Sequence, residues 1–256
     1  MGNFKGSFER LIRILDDLRT NCPWDKKQTI HSLRQLTIEE TYELVDAITT
    51  EDWKGMKEEL GDLLLHILFY AKIAEEQSQF GIENVVESVC NKLVHRHPHI
   101  YDSTIVENDE DVKRNWEKLK LKEGKRTVLS GVPNSLPSMI KALRLQEKAK
   151  QVGFEWEVTA QVKEKLMEEL DELQEVVELK DEEKMKDEFG DVLFSMINYA
   201  RFLNIDPEDA LASTNNKFQR RFNLMENQLT KDGNMLTDFN LQQMDEVWNE
   251  IKRNEK

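Results

Sequence analysis

Glu59-Leu60-Gly61-Asp62-Leu63-Leu64-Leu65-His66-Ile67-Leu68-Phe69-Tyr70-Ala71 begins with two carboxylates and then runs almost entirely apolar. Leu60, Leu63, Leu64, Ile67, Leu68 and Ala71 fall at i, i+3, i+4, i+7, i+8 and i+11, the spacing of an amphipathic helix. Glu59 and Asp62 are three apart and share one face of it. The pattern recurs 129 positions later as Glu188-Phe189-Gly190-Asp191, continued by Val192, Leu193, Met196, Ile197 and Ala200. Upstream of each stands a second acidic pair, Glu40/Glu43 and Glu169/Glu172, again 129 apart. Two helices side by side, each presenting two carboxylates, aim four at one point, twice in the chain.

Further landmarks keep the same order. Asn91-Lys92-x-x-x-Arg96 is echoed by Asn216-Lys217-x-x-x-Arg221, and Trp116-Glu117-Lys118-Leu119-Lys120 by Trp248-Asn249-Glu250-Ile251-Lys252. Pro23-Trp24-Asp25 has a looser echo in Glu155-Trp156-Glu157. Ordered landmarks with small drifts mean a duplicated domain with loop insertions. Gly124, Ser130, Gly131, Pro133, Ser135 and Pro137 cluster between the copies. Residues 1–124 are therefore expected to form the first copy, 125–138 a linker and 139–256 the second. No segment alternates like a strand, so the expected fold is all-α, two tandem helical bundles. The acidic helices are apolar on nearly every side, more than one small copy covers, so homodimerisation is expected to complete the bundles.

Composition agrees. Among 256 residues only 10 are Gly and 5 Pro, which suits long helices with short connections. A net charge of −14 argues against stable nucleic-acid or acidic-membrane binding, both partners being polyanions. Two cysteines, Cys22 and Cys90, are too few for a disulfide framework and read as reduced thiols. Met1 to Leu18 lacks a continuous apolar stretch and a cleavage site, so no signal peptide is expected, and no segment is apolar enough to span a membrane. The expected location is the cytoplasm.

A lone Glu-x-x-Glu in a chain with 50 acidic residues is most often a solvated helix face. Here the pair recurs in fixed relation to a second pair that opens the most apolar helix, where an unpaired carboxylate is costly. Gly61 and Gly190 precede the two aspartates. A mid-helix Gly costs about 1 kcal/mol against Ala, which suggests close approach of another group. Glu40, Glu43, Glu59, Asp62, Glu169, Glu172, Glu188 and Asp191 are thus candidate metal ligands. All-oxygen ligands select Mg²⁺ or Mn²⁺. A di-iron bundle would carry His where Asp62 and Asp191 stand.

Lys217 and Arg221 share a helical face beside Arg220, and Lys165 and Lys184 flank the second acidic pairs, a set able to neutralise a polyphosphate. The first copy has Leu36 and Gly55 at the positions matching Lys165 and Lys184, and keeps Lys92 and Arg96. Trp116 and Trp248 read as core anchors, with base stacking on Trp248 the sharper alternative. His95-Arg96-His97-Pro98-His99 reads as a helix end before Pro98, with no fourth zinc ligand following.

These residues together resemble the MazG family of nucleoside triphosphate pyrophosphohydrolases. The matching landmarks are Cys22-Pro23-Trp24-Asp25, Glu39-Glu40-Thr41-Tyr42-Glu43, Glu59-Leu60-Gly61-Asp62-Leu63-Leu64, His95-Arg96-His97-Pro98-His99, Glu168-Glu169-x-x-Glu172, Glu188-Phe189-Gly190-Asp191 and Lys217-Phe218-x-Arg220-Arg221-Phe222. The resemblance is to the long form with tandem domains. It implies an all-α homodimer of the NTP-pyrophosphatase type that uses Mg²⁺ to cleave nucleoside triphosphates between the α- and β-phosphates. It assigns the chemistry to the second copy, with Glu169, Glu172, Glu188 and Asp191 on Mg²⁺. Lys165, Glu168, Lys184, Lys217, Arg221 and Trp248 are implied to contact nucleotide. A carboxylate outside the metal set, Glu168 or Glu39, is the candidate to orient or deprotonate the attacking water. No residue reads as a covalent nucleophile. The competing class is a nucleotide-sensing regulator with a degenerate first copy, motivated by the missing lysines.

Overall fold

A computed structural model describes residues 4–106, 108, 111–112, 115–116, 119 and 127–255. Every regular element among them is helical, as the sequence predicts. The chain divides into two compact units, Met1–Val112 and Lys113–Lys256. That division falls ahead of the expected 125–138 linker. Within the linker, the single turn Val128–Gly131 packs on the helix Ser138–Lys150 of the second unit. Gly124, residues 125–126 and the Glu117, Lys118 and Lys120 of the first Trp motif lie outside the described residues.

The first unit comprises α1 (Phe4–Asn21), α2 (Ile30–Thr49), α3 (Trp53–Glu76), α4 (Ile82–Arg96) and the short α5 (Pro98–Tyr101). The second comprises α6 (Ser138–Lys150), α7 (Thr159–Leu179), α8 (Glu182–Phe202), α9 (Pro207–Thr230) and α10 (Leu241–Asn254). In each, the most extensive contact is a tight hairpin, α2 on α3 and α7 on α8. The turns repeat the same chemistry. Glu51 and Lys180 adopt left-handed φ of 55° and 57°, which stops the first helix. Asp52 and Asp181 then cap the second, accepting from Lys54 N at 3.0 Å and Lys184 N at 3.2 Å.

The cores repeat too. Leu33 and Val162, 129 apart, are the two large side chains most completely buried, each 1% exposed. Ala47 and Val176, and Leu68 and Ile197, are further buried pairs at the same offset. In the first unit Leu15, Leu33, Leu68, Phe69 and Ile73 form the centre. Ion pairs tie the turns bearing the Trp motifs to the acidic helices. Arg19 bonds Glu76 at 2.9 and 2.8 Å and the carbonyls of Asp25 and Gln28 at 2.5 and 3.0 Å. Arg201 of α8 forks onto Glu155 at 2.7 and 2.8 Å. α4 ends at Arg96, His97 Nδ1 sits 2.6 Å from Leu93 O, and Pro98 starts α5, so the His-rich motif is a helix end.

The acidic helices are less covered than their composition predicts. Leu60 and Ile67 on α3, and Phe189, Leu193, Phe194 and Met196 on α8, are all exposed. The helix periodicity exceeds the cover that one unit provides.

Candidate metal and polyphosphate site

Each hairpin brings three of its four predicted carboxylates together. Oxygens of Glu40, Glu43 and Glu59 lie within 4.8 Å of one another, as do those of Glu169, Glu172 and Glu188. The i, i+3 pair on the first helix supplies two and the second helix supplies one, because the capped turns fix the register. Asp62 and Asp191 stand one turn further along, exposed and outside these groups. Asp62 still acts on its neighbours through its charge, opposing the ionisation of Glu59.

Like charges this close need a proton or a cation between them. In the first unit, loss of water raises the Glu59 carboxyl above its ordinary range, helped by its hydrogen bond with Glu40 and by the charges of Glu40 and Asp62. In the second unit, loss of water raises Glu172. Lys165 opposes that rise, and Glu169 and Glu188 add to it. Lys165 Nζ donates to Glu168 at 2.7 Å and reaches Glu169 at 3.0 Å, which raises its own pKa. Glu169 is only 7% exposed, so its charge is balanced within the protein rather than by water. Three converging carboxylates with no His or Cys in the group suit a hard divalent cation. Glu168 lies outside the group and, with Glu172, lines an open groove of about 670 Å³. The concavity of about 590 Å³ in the first unit includes no predicted site residue, and its Lys72 is already paired with Asp16 and Glu75.

The remaining candidates fall in two places. Lys184 lies one turn before Glu188 on α8, exposed, with Nζ 3.7 Å from Asp181. At its counterpart Gly55 a Cβ would meet Asp52 Oδ2 at 2.7 Å and Ala47 Cβ at 3.3 Å, so a side chain there requires the Asp52 carboxylate to turn aside. Lys217 is exposed on α9, while Arg221 is held by Glu255 at 2.7 Å and Arg220 by the same carboxylate at 2.8 Å. Trp248 is half-buried with its ring 5.3 Å from that of Phe218, consistent with an anchor between α9 and α10. The expectation of close approach at Gly61 and Gly190 is not met. A Cβ at either meets nothing within 4 Å, because both lie on the open side of their helices. Sequence reasoning missed the Lys165 bridge, although its i+3 and i+4 spacing to Glu168 and Glu169 carried the signal. It missed Glu255, which no local spacing indicates.

The model of the MazG nucleotide pyrophosphohydrolase domain matches this chain twice, at residues 28–101 and 159–224, the segments that hold the two hairpins. The chain is 38% identical to the nucleoside triphosphate pyrophosphohydrolase of Escherichia coli K12, over 96% of this chain and 97% of that one. It is 43% identical to the nucleoside triphosphate pyrophosphohydrolase/pyrophosphatase MazG of Thermotoga maritima, over 96% and 95%. A crystal structure of a MazG-related protein from Thermotoga maritima aligns with a TM-score of 0.40 at 27% identity, covering 44% of this chain and 98% of that one. With both segments matched and full-length relatives at this identity, the chain belongs to the MazG family of nucleotide pyrophosphohydrolases.

Proposed function

We propose that the second unit hydrolyses nucleoside triphosphates between the α- and β-phosphates, releasing the monophosphate and pyrophosphate with the help of Mg²⁺ or Mn²⁺. The observation that carries this reading is the Glu169/Glu172/Glu188 cluster with Lys165 bonded to its edge. Those three carboxylates would hold the metal, with Asp191 one turn away as the fourth. When bound, such an ion offsets phosphate charge and lowers the pKa of a coordinated water. Lys165 and Lys184, on the same two helices and each one turn from a cluster carboxylate, would contact phosphate oxygens. Glu168, outside the cluster, is the candidate to orient the attacking water. Lys217, Arg221 and Trp248 are proposed nucleotide contacts from α9 and α10, which requires Arg221 to exchange Glu255 for phosphate.

The first unit keeps its carboxylates but has Leu36 and Gly55 in place of the lysines. It is proposed to bind metal and to contribute little turnover. With a triphosphate panel and Mg²⁺, Glu43→Ala should keep most of the pyrophosphate release and Glu172→Ala should lose it. Chelation by EDTA should silence the wild type. Activity that survives EDTA, or Glu172→Ala, counts against the assignment.

The exposed apolar residues of α3 and α8 are proposed to be covered by a second copy of the chain. Light scattering should then give twice the 30.2 kDa chain mass at micromolar concentration, and a monomer there counts against it. No helix among the described residues is long and apolar enough to cross a membrane, and Cys22 and Cys90 are free, so a cytoplasmic location is proposed.

A further inference from the structure

The two clusters differ in one respect that bears on how they fill. The second carries its own cation. Lys165 Nζ lies 3.0 Å from Glu169 Oε1 and 2.7 Å from Glu168 Oε1, and Glu169 is one of the three converging carboxylates. The Glu169 side chain is 9% exposed and that of Lys165 35%, so water shields this pair only in part. The first cluster has no such partner. Leu36 occupies the matching position and packs against the core, and the nearby Lys54 pairs with Glu58 instead, at 3.7 Å. Among the described residues, none of Glu40, Glu43 and Glu59 makes an ion pair.

An ammonium at 3.0 Å already offsets the Glu169 charge and weakens its pull on a divalent cation. An ion held by Glu169, Glu172 and Glu188 would stand a few ångströms from the Lys165 charge. We propose that Lys165 is a resident counter-ion that Glu169 must release before the second cluster closes on a divalent cation, so the two copies load unequally. The first cluster takes the cation readily, while the second takes it more weakly and, in doing so, frees an ammonium beside the bound metal. An anionic substrate then meets a lysine that is free only in the loaded site. The inference rests on the metal-site reading above and adds an order of filling to it.

The test uses the full chain and Mn²⁺ alone, followed by electron paramagnetic resonance. Wild type should show two classes of site, about tenfold apart in affinity. Glu172→Ala should keep only the tighter class and Glu43→Ala only the weaker. Lys165→Met should tighten the weaker class about tenfold and leave the tighter one unchanged, and Lys165→Arg should stay near wild type. Acylation of the Lys165 amine, read by mass spectrometry, should rise severalfold on saturation with Mn²⁺. Equal affinities in Glu43→Ala and Glu172→Ala overturn the proposal without any change at Lys165. So does a weaker class that Lys165→Met fails to tighten. No Mn²⁺ site at all in wild type overturns the metal reading itself, and the proposal with it.

Discussion

Glu169→Ala is expected to lower pyrophosphate release about a thousandfold or more while the protein stays folded. Glu169 is the most buried member of its cluster and the one that contacts Lys165, so its loss removes a metal ligand and the anchor of that lysine together. The fold should tolerate the change. Ala is the best helix former, the position lies well inside α7 (Thr159–Leu179), and the variant removes a charge that is costly to bury. Helical circular dichroism and the unfolding midpoint should match wild type or improve on it. Substantial activity in this variant would place the chemistry elsewhere, and the matching Glu40→Ala would be the next variant to assay.

Leu33→Ala should lower the stability of the first unit by about 3 kcal/mol, within the usual 2–5 kcal/mol for emptying a core leucine site. Leu33 is 1% exposed and belongs to the cluster of Leu15, Leu68, Phe69 and Ile73, which joins α1, α2 and α3. For a unit of this size the loss corresponds to roughly 10–20 °C in the melting midpoint. Pyrophosphate release assayed below that transition should be close to wild type, because the proposed chemistry lies in the other unit. Calorimetry and an activity assay on the same sample check both parts. A midpoint within two or three degrees of wild type would mean that the site is not a tightly packed core.

The fold was largely legible in the sequence because its evidence is local. The i, i+3, i+4, i+7 pattern after Glu59 and Glu188 specified the helices. The shared 129-residue offset anticipated equivalent cores, seen in Leu33 with Val162 and Leu68 with Ile197. Three of the four carboxylates per copy could be placed for the same reason, since helical spacing fixes a shared face. What failed depends on position across elements. Asp62 and Asp191 lie one turn along from Glu59 and Glu188, and their oxygens stand outside the two groups of three. Gly61 and Gly190 implied a close neighbour, yet the side they face is open. The pairing of Arg221 with Glu255 joins residues 34 apart and leaves no local trace. The absence of a lysine from position 55 was legible, but the closeness of the Asp52 carboxylate to that position was not.

Hydrolysis of a nucleoside triphosphate in ¹⁸O-labelled water with Mg²⁺, resolved by ³¹P NMR, tests the central claim most directly. Attack by water at the α-phosphorus, served by the Glu169/Glu172/Glu188 cluster, predicts one label in the nucleoside monophosphate. It also predicts unlabelled pyrophosphate, and neither product from Glu172→Ala. Label in pyrophosphate, orthophosphate as the first product, or the same labelled monophosphate from Glu172→Ala would contradict it.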